Sequence, residues 1–215
     1  MCRPISEVKA AYRRHRREIV DRLKEFERVG RRASGKRLFA ELVFCLLTPQ
    51  SKAKSCWRAV ENLRKKGLLF RGSKAMVAGE LRGVRFPNNK AGYILRARDL
   101  FASRGALSVR RRIASFSSPE AARDWLVENV VGMGYKEAGH FLRNIGLGDN
   151  LAILDRHVLR NLAACGATGA VPTALSRKKY LEIENHLKRF AKTLRIPPAH
   201  LDLALWCKET GEIFK

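Results

Sequence analysis

The spacing of apolar residues predicts helices along almost the whole chain and leaves little that could form a sheet. From Glu7 to Val29, apolar side chains recur at helical intervals amid a dense basic surface. The stretch from Leu38 to Leu47 is apolar on most faces, which predicts a buried helix that stops before Thr48-Pro49. Only Val130-Val131 and Leu151 to Leu154 resemble strands, and both are too short and isolated to build a sheet. The sequence therefore predicts an all-α protein.

Further helices follow from periodicity and from start and stop signals. Ser118 has the hydroxyl of an N-cap, and Pro119 suits the first turn of a helix. The segment Gly30 to Gly35 is predicted to end the first helix, and Arg85 to Lys90 is predicted to be a loop. The remaining predicted helices are Lys52 to Lys65, Ala91 to Arg104, one opened by Ser118-Pro119-Glu120, Tyr135 to Ile145, Arg156 to Cys165, Ser176 to Leu194 and Pro198 to Lys208.

The charge of the chain is strongly one-sided. Its 215 residues include 44 Lys and Arg against 20 Asp and Glu, a formal net charge of +24. A polyanion would neutralise this excess, and nucleic acid is the first candidate because Lys and Arg contacts to phosphate release condensed counterions. An anionic membrane surface is an alternative, although no basic amphipathic helix with an aromatic apolar face stands out. A solvated, charge-rich surface explains the number of charges but not their sign.

The cysteines and the termini point to the inside of the cell. Cys2, Cys45, Cys56, Cys165 and Cys207 form no CxxC pair and no metal-ligand spacing, which predicts a reducing compartment, no disulfide framework and no metal or cofactor. The N-terminus lacks the apolar run of a secretory signal, and no apolar stretch is long enough to span a bilayer. We therefore expect a cytoplasmic monomer with no membrane partner.

Two glycines bracket one apolar residue in Gly132-Met133-Gly134, between two predicted helices. Glycine lets the backbone turn sharply and approach another chain closely. The N–H groups that begin the next helix are expected to point outward, unpaired, at the positive end of its dipole, which would bind phosphate. An ordinary connection between two helices is the alternative, and a GxG alone favours it. The net charge and the residues that follow favour a phosphate-binding site over an ordinary connection.

A lysine and an aspartate follow this turn. Lys136 lies in the first turn of the next predicted helix, where the dipole disfavours a cation and so favours the neutral, nucleophilic amine. A surface lysine that contacts DNA is the alternative. Asp155 follows four apolar residues and precedes a helix, so an N-cap role is also expected for it. The helix after Lys136 leads roughly 16 Å away at about 1.5 Å per residue. The extended connection to Asp155 can return roughly 30 Å at about 3.3 Å per residue, so the two side chains can meet.

The glycine hairpin, the lysine after it and the later aspartate together resemble the helix–hairpin–helix DNA glycosylase superfamily. The resemblance runs from Leu38 to the C-terminus and is greatest to the compact second class of 8-oxoguanine DNA glycosylase/AP lyase, found in archaea and some bacteria. The matching stretches are Gly132 to Ala138, His140 to Asn144, Leu151 to Arg160, and the ending from Leu205-Trp206 to Lys215.

The resemblance implies a fold and a place for the site. It implies a single unit over residues 1–215, made of two α-helical lobes with the hairpin and the active site in the cleft between them. One lobe would cover about 38–134, and the other would combine 1–37 with 135–215. The implied partner is double-stranded DNA that contains 8-oxoguanine or abasic sites, in the nucleoid of a prokaryotic cell.

The resemblance also implies a bifunctional enzyme of base excision repair, both glycosylase and AP lyase. Lys136 would attack the sugar of a flipped nucleotide, displace the base and form a Schiff base, from which β-elimination cuts the strand. Asp155 would stabilise the positive charge that develops on the sugar.

Further residues are assigned to DNA and base recognition by the same resemblance. The hairpin residues Gly132, Met133 and Gly134 would hold the backbone, and Gln50 would fill the gap that the flipped base leaves. Phe86 and Trp206 would stack on the lesion, and the free carboxylate of the terminal Lys215 would accept the N7–H of 8-oxoguanine. The alternatives without a functional role are a helix-ending turn for Gln50, core packing for Phe86 and Trp206, and a frayed terminus for Lys215.

The sequence departs from the superfamily pattern in two places, and the second departure bears on the substrate. Val130-Val131 stands where Leu-Pro is frequent, which preserves apolar packing. Only Cys165 and Cys207 follow Asp155, so the four-cysteine iron–sulfur cluster of endonuclease III-like enzymes cannot form there. The alternatives are a related glycosylase for oxidised pyrimidines or mismatched bases, a non-catalytic helix–hairpin–helix module that only grips DNA, and an RNA-binding or ribosome-associated protein.

Overall fold

The computed structural model describes residues 3–103 and 106–215, and within these ranges the chain is built from helices with one small hairpin of strands. The predicted all-α class is confirmed. Cys2 and Arg104, which the predictions from the sequence name, lie outside the described residues. The elements are α1 (Arg3–Arg32), α2 (Gly35–Leu47), α3 (Ala53–Lys65), α4 (Leu68–Arg71), α5 (Lys74–Glu80), α6 (Pro87–Phe101), β1 (Ala102–Ser103), β2 (Ala106–Leu107), α7 (Val109–Ala114), α8 (Pro119–Asn129), α9 (Tyr135–Asn144), α10 (Arg156–Ala164), α11 (Arg177–Leu194) and α12 (Pro198–Thr210).

The chain divides into two compact units. The central unit is Val29–Phe141, and the terminal unit combines Met1–Arg28 with Leu142–Lys215. The lobe limits inferred from the sequence stay a prediction. Across the described residues, no helix combines the length and the apolar character that crossing a membrane requires.

Helix α2 forms the core of the central unit. Every residue from Leu38 to Leu47 is buried, as the sequence predicted for this stretch. The hydroxyl of Ser34 caps the helix by accepting from the amide of Arg37 at 3.3 Å. Helices α3, α6 and α7 pack against α2, and Phe44 of α2 meets the ring of Trp57 edge to face at 5.6 Å. Because α2 is covered in this way, its last carbonyl groups must find partners inside the protein.

The terminal unit packs the amphipathic helix α1 against α12. Ile19 of α1 is buried with Leu203 and Ala204 of α12, and Tyr12 and Leu23 cover this cluster. Helices α10 and α11 also pack on α12. The apolar stripe that predicted α1 is therefore the face through which it joins this core.

Residues Leu151 to Leu154 pair with no strand of the described chain, contrary to their strand-like pattern. Side chains of α11 form hydrogen bonds with the backbone of this segment instead. The hydroxyl of Tyr180 donates to the carbonyl of Ala152 at 2.6 Å and accepts from the amide of Leu154 at 3.3 Å. The carboxylate of Glu184 accepts from the amide of Ala152 at 2.9 Å. These bonds hold the segment that leads directly into Asp155.

Several element boundaries differ from the predicted ones. Helix α1 continues through Gly30 to Arg32, because the break is set by the Ser34 cap of α2 rather than by glycine. The segment predicted as a loop from Arg85 to Lys90 is helical from Pro87, whose fixed φ suits the first helical position. The helix predicted over Ala91 to Arg104 ends at Phe101, and β1 begins at the next residue, Ala102. The neighbouring strands pair Ala102 with Leu107.

Candidate active site

The turn between α8 and α9 is the predicted helix–hairpin–helix, and its first glycine is sterically required. Gly132 has φ +86°, which is unfavourable for any side chain. A Cβ at Gly132 would lie 2.4 Å from Cδ2 of Tyr93, a residue of α6. Met133 between the glycines is buried and its amide donates to the carbonyl of Val130 at 3.1 Å. The hairpin backbone therefore lies directly on the Tyr93 ring.

The amide of the second glycine is occupied by a side chain. Gly134 N–H donates to Oε2 of Glu137 at 3.3 Å, three residues further on in the first turn of α9. This is the reach-back half of a capping box, since Gly134 also supplies the first carbonyl of the helix to Ala138 at 2.9 Å. The prediction that the amides here are unpaired is wrong for Gly134. An anion that uses this amide must displace Glu137.

Lys136 lies in the first turn of α9, as predicted, and its side chain is held rather than loose. Its Nζ donates to Oγ1 of Thr48 at 3.4 Å and lies 3.3 Å from Oε1 of Glu137. Thr48 is the C-cap of α2, and its own hydroxyl donates to the carbonyl of Cys45 at 2.8 Å. The lysine side chain is 24% exposed, which distinguishes it from an ordinary surface lysine. The amine is thus fixed at the end of α2.

Gln50 and Phe86 are exposed residues with left-handed backbone. Gln50 has φ 55°, in a turn closed by the amide of Ser51, which donates to the carbonyl of Thr48 at 3.0 Å. Phe86 has φ 58° and is 50% exposed, so core packing does not explain it. The guanidinium of Arg85 lies 5.2 Å from the centre of the Phe86 ring. Non-glycine residues in this conformation are uncommon and concentrate at functional sites.

Asp155 belongs to the terminal unit and caps α10. Its Oδ1 accepts from the amide of Val158 at 2.8 Å, and its backbone is extended, so the predicted N-cap role is confirmed. The side chain is half-buried and follows the buried segment Leu151 to Leu154 in the sequence. That Asp155 and Lys136 act on the same atom stays a prediction.

Trp206 and Lys215 also lie in the terminal unit. Trp206, on α12, is half-buried and meets the ring of His157 edge to face at 5.4 Å. Within the described residues its Nε1 donates to no acceptor. Lys215, after the Gly211 cap that ends α12, is half-buried. Their recognition roles stay predictions.

Sequence reasoning missed three residues around the lysine. Thr48 was noted only as a helix end, Glu137 only as part of a motif, and Lys90 only as part of a loop. Lys90 is 3% exposed and belongs to α6, although a lysine carries no sequence signal for burial. Glu137 could have been found from its spacing of three from Gly134, the glycine that precedes α9. Among the described residues, no group of three or more His, Cys, Asp or Glu could hold a metal.

Comparison with known proteins gives one consistent result. A family described as "Ogg-HhH: 8-oxoguanine DNA glycosylase" matches residues 19–196. A protein of Fusobacterium nucleatum named 8-oxoguanine DNA glycosylase/AP lyase is 40% identical, covering 98% of this chain and 97% of the relative. One of the same name from Korarchaeum cryptofilum is 42% identical over 93% of this chain and 91% of its own length.

Solved structures agree with these relatives. The 8-oxoguanine DNA glycosylase of Thermotoga maritima superposes with a TM-score of 0.87 at 33% identity, covering 98% of both chains. The 8-oxoguanine glycosylase/lyase of Methanocaldococcus jannaschii, crystallised with a 15mer DNA containing 8-oxoguanine, superposes with a TM-score of 0.88 at 33% identity. That match covers 98% of this chain and 99% of the other.

The contact between Gly132 and Tyr93 predicts a large difference between two glycine variants. Gly166 also has positive φ, but a Cβ there meets nothing within 4 Å. We expect Gly166→Ala to destabilise the protein by about 1 kcal/mol through backbone strain. Gly132→Ala should cost about 2 kcal/mol more, because it adds overpacking against the ring. Urea unfolding of both variants measures the difference in the free energy of unfolding, and equal losses would contradict a steric role for Tyr93.

The capping role of Asp155 predicts that charge and cap can be separated by mutation. Asn is as good an N-cap as Asp, so Asp155→Asn should leave the free energy of unfolding nearly unchanged. Asp155→Ala removes the acceptor for Val158 and should destabilise the protein by about 1 kcal/mol. Thermal unfolding of the two variants checks this. If Asn proves as destabilising as Ala, the negative charge rather than the cap supports the fold.

Proposed function

This chain belongs to the 8-oxoguanine DNA glycosylase family, and we propose that it excises 8-oxoguanine from double-stranded DNA and cleaves the resulting abasic site. Relatives that match nearly the whole chain are named for both activities. The observation that carries the proposal is the placement of Lys136, whose Nζ lies next to Thr48 and Glu137 immediately after the glycine hairpin. A non-catalytic DNA-binding module would have no need to hold a lysine in this way.

The proposed reaction begins with the damaged nucleotide outside the helix stack. Flipping costs a few kcal/mol, because pairing and stacking are lost. Nζ of Lys136, after losing a proton, attacks C1′ of the sugar, and the C1′–N9 bond breaks with its electron pair going to the base. The base leaves with a proton. Asp155 acts as a carboxylate that offsets positive charge on the sugar and accepts the proton from Nζ.

Strand cleavage follows from the covalent intermediate. The sugar ring opens to a Schiff base between Lys136 and C1′. Loss of a proton from C2′ breaks the bond between C3′ and its phosphate oxygen, which cuts the strand on the 3′ side. Water then hydrolyses the Schiff base and frees the amine. An enzyme that used only Asp155 to activate water would release the base but would form no covalent adduct.

The other assigned residues hold DNA and read the base. Gly132, Met133 and Gly134 would receive a backbone phosphate, which would displace Glu137 from the amide of Gly134, and the excess of basic residues would attract the duplex. Gln50 would enter the stack where the base leaves, and its exposure suits that role. Phe86 offers a half-exposed ring for stacking, and Trp206 a second ring. The carboxylate of Lys215 would accept the N7–H that distinguishes 8-oxoguanine from guanine.

The place of action follows from the substrate. An enzyme that repairs chromosomal DNA works where that DNA lies. In the prokaryotic cells that the relatives come from, this is the nucleoid. We therefore infer a cytoplasmic, nucleoid-associated location.

Replacing the proposed nucleophile should abolish covalent chemistry. With an 8-oxoguanine duplex, the wild type should give a stable protein–DNA adduct when borohydride reduces the Schiff base. Lys136→Gln should give no adduct and should lower single-turnover strand cleavage by at least about 10³-fold. The matched control is Lys65→Gln, which removes an exposed lysine of α3 in the same unit and should behave as wild type. A wild type without adduct would refute the lyase half of the proposal.

Removing the last residue should affect recognition more than cleavage. The variant that lacks Lys215 ends at Phe214, so the carboxylate moves by one residue and the acceptor for N7–H is displaced. We expect excision of 8-oxoguanine to fall by about 10²-fold, while cleavage of a preformed abasic site stays within a few-fold of wild type. Single-turnover assays on both duplexes, together with one that holds oxidised pyrimidine, measure this. Equal loss of both activities would overturn the assignment.

A further inference from the structure

Lys90, a buried lysine outside the proposed catalytic pair, binds the backbone on both sides of Gln50. The ammonium of Lys90 donates to the carbonyls of Leu47 and Pro49, each at 2.7 Å, and to the hydroxyl of Ser51 at 3.1 Å. A lysine ammonium has three N–H groups, so all of them are used on one short turn. Every acceptor lies within five residues of chain, on both sides of Gln50 and Thr48.

The same network reaches Phe86. The hydroxyl of Ser51, besides accepting from Lys90, accepts from the amide of Arg85 at 3.0 Å. The backbone amide of Lys90 donates to the carbonyl of Phe86 at 3.0 Å. The ammonium is therefore linked through Ser51 to the chain just before Phe86, and the first backbone bond of α6 holds the carbonyl of Phe86 itself.

Backbone strain coincides with the network. Three non-glycine residues of the described chain have positive φ: Gln50, Phe86 and Arg195. Arg195 merely ends α11, a common place for this conformation. Gln50 and Phe86 are the exposed pair that the network holds. Strained conformations persist only when surrounding bonds over-determine them, and the bonds of Lys90 and Ser51 do so here.

We propose that Lys90 is a positioning residue for base excision, whose buried ammonium locks Gln50 and Phe86 in the geometry that opens and reads the duplex. The inference rests on the proposed function. Lys90 does not touch the reacting atoms in this scheme. It acts through the turn of residues 48–51 and through the loop of residues 85–86.

The chemistry of the site favours an ammonium over an apolar side chain. Leu47 presents one of the last carbonyls of the buried helix α2, and the thiol of Cys56 donates to that oxygen at 3.2 Å as well. A cation at this end also meets the negative end of the helix dipole. Burial lowers the pKa of Lys90, so keeping this charge opposes the stability of the fold. A group retained against that cost, with three bonds to one turn, is suited to fixing a conformation.

The proposal is tested by comparing two substrates with one variant. Lys90→Met keeps an unbranched side chain that ends where Cε of the lysine lies, and it removes the ammonium. Excision of 8-oxoguanine needs Gln50 and Phe86 in place, whereas a preformed abasic site needs chiefly Lys136. The partner of Lys136, Thr48, keeps its own bonds to the carbonyl of Cys45 when the ammonium of Lys90 is removed. We expect single-turnover excision to fall by about 10²-fold, as for a misplaced substrate group, and abasic-site cleavage to fall less than about five-fold. Lys65→Met is the matched control and should equal wild type on both duplexes.

A second variant guards against a general loss of structure. Ser51→Ala removes only the hydroxyl that joins the turn to Arg85, so it should lower excision selectively but less than Lys90→Met does. The double variant should be no worse than Lys90→Met alone, because both changes break one network. Thermal unfolding of each variant accompanies the assays.

The outcomes are distinct. Equal losses on the two duplexes, or no loss on either, would overturn the positioning role of Lys90. If Lys90→Met fails to fold, an unchanged excision rate in Ser51→Ala would overturn it as well. A wild type that cleaves abasic sites but never excises 8-oxoguanine would refute the proposed function, and the Lys90 proposal would fall with it.

Discussion

The C-terminal end of α2 is the constraint around which the candidate site is organised. This helix is buried from Leu38 to Leu47, so its last carbonyls cannot be left to solvent. Side chains from three other helices converge there: Lys90 from α6, Cys56 from α3, and Lys136 from α9, which reaches Thr48. Satisfying one buried helix end therefore draws the proposed nucleophile and the two strained loops of the central unit to the same place.

The glycine hairpin depends on packing as much as on its proposed ligand. The backbone of Gly132 lies so close to the Tyr93 ring that no side chain fits. This contact limits how closely the hairpin approaches α6. It thereby positions the first turn of α9, which carries Lys136. Glu137 then serves two neighbours, the amide of Gly134 and the amine of Lys136. Sterics and capping thus determine where the amine stands before any substrate arrives.

In the terminal unit, the backbone groups that precede Asp155 also need hydrogen-bond partners, and side chains supply them. Among the described residues, the segment before it pairs with no strand, and Tyr180 and Glu184 of α11 supply the missing hydrogen bonds. The aspartate then caps α10, so one carboxylate oxygen is tied to the amide of Val158. A rigid carboxylate is what the proposed role at a developing positive charge requires.

Local patterns in the sequence were enough to establish much of this protein. Apolar periodicity identified the long helices. The caps at Ser118 and Asp155 could be predicted because each joins residues three apart in the sequence. The hairpin, Lys136 and Asp155 together pointed to the family to which the chain belongs. The extents of α1 and α6 were misjudged, because Gly30 and the residues after Phe86 were treated as breaks on composition alone.

Only the tertiary structure decided what surrounds Lys136. Its partner Thr48 lies 88 residues away in sequence, and Lys90 is about 40 residues from the carbonyls that it binds. No periodicity or short motif encodes such pairs, because they arise from which helices pack together. For the same reason the left-handed backbones of Gln50 and Phe86 carry no sequence signature. The sequence determined which groups this protein has, and packing of the buried helix α2 determined how the central ones are held.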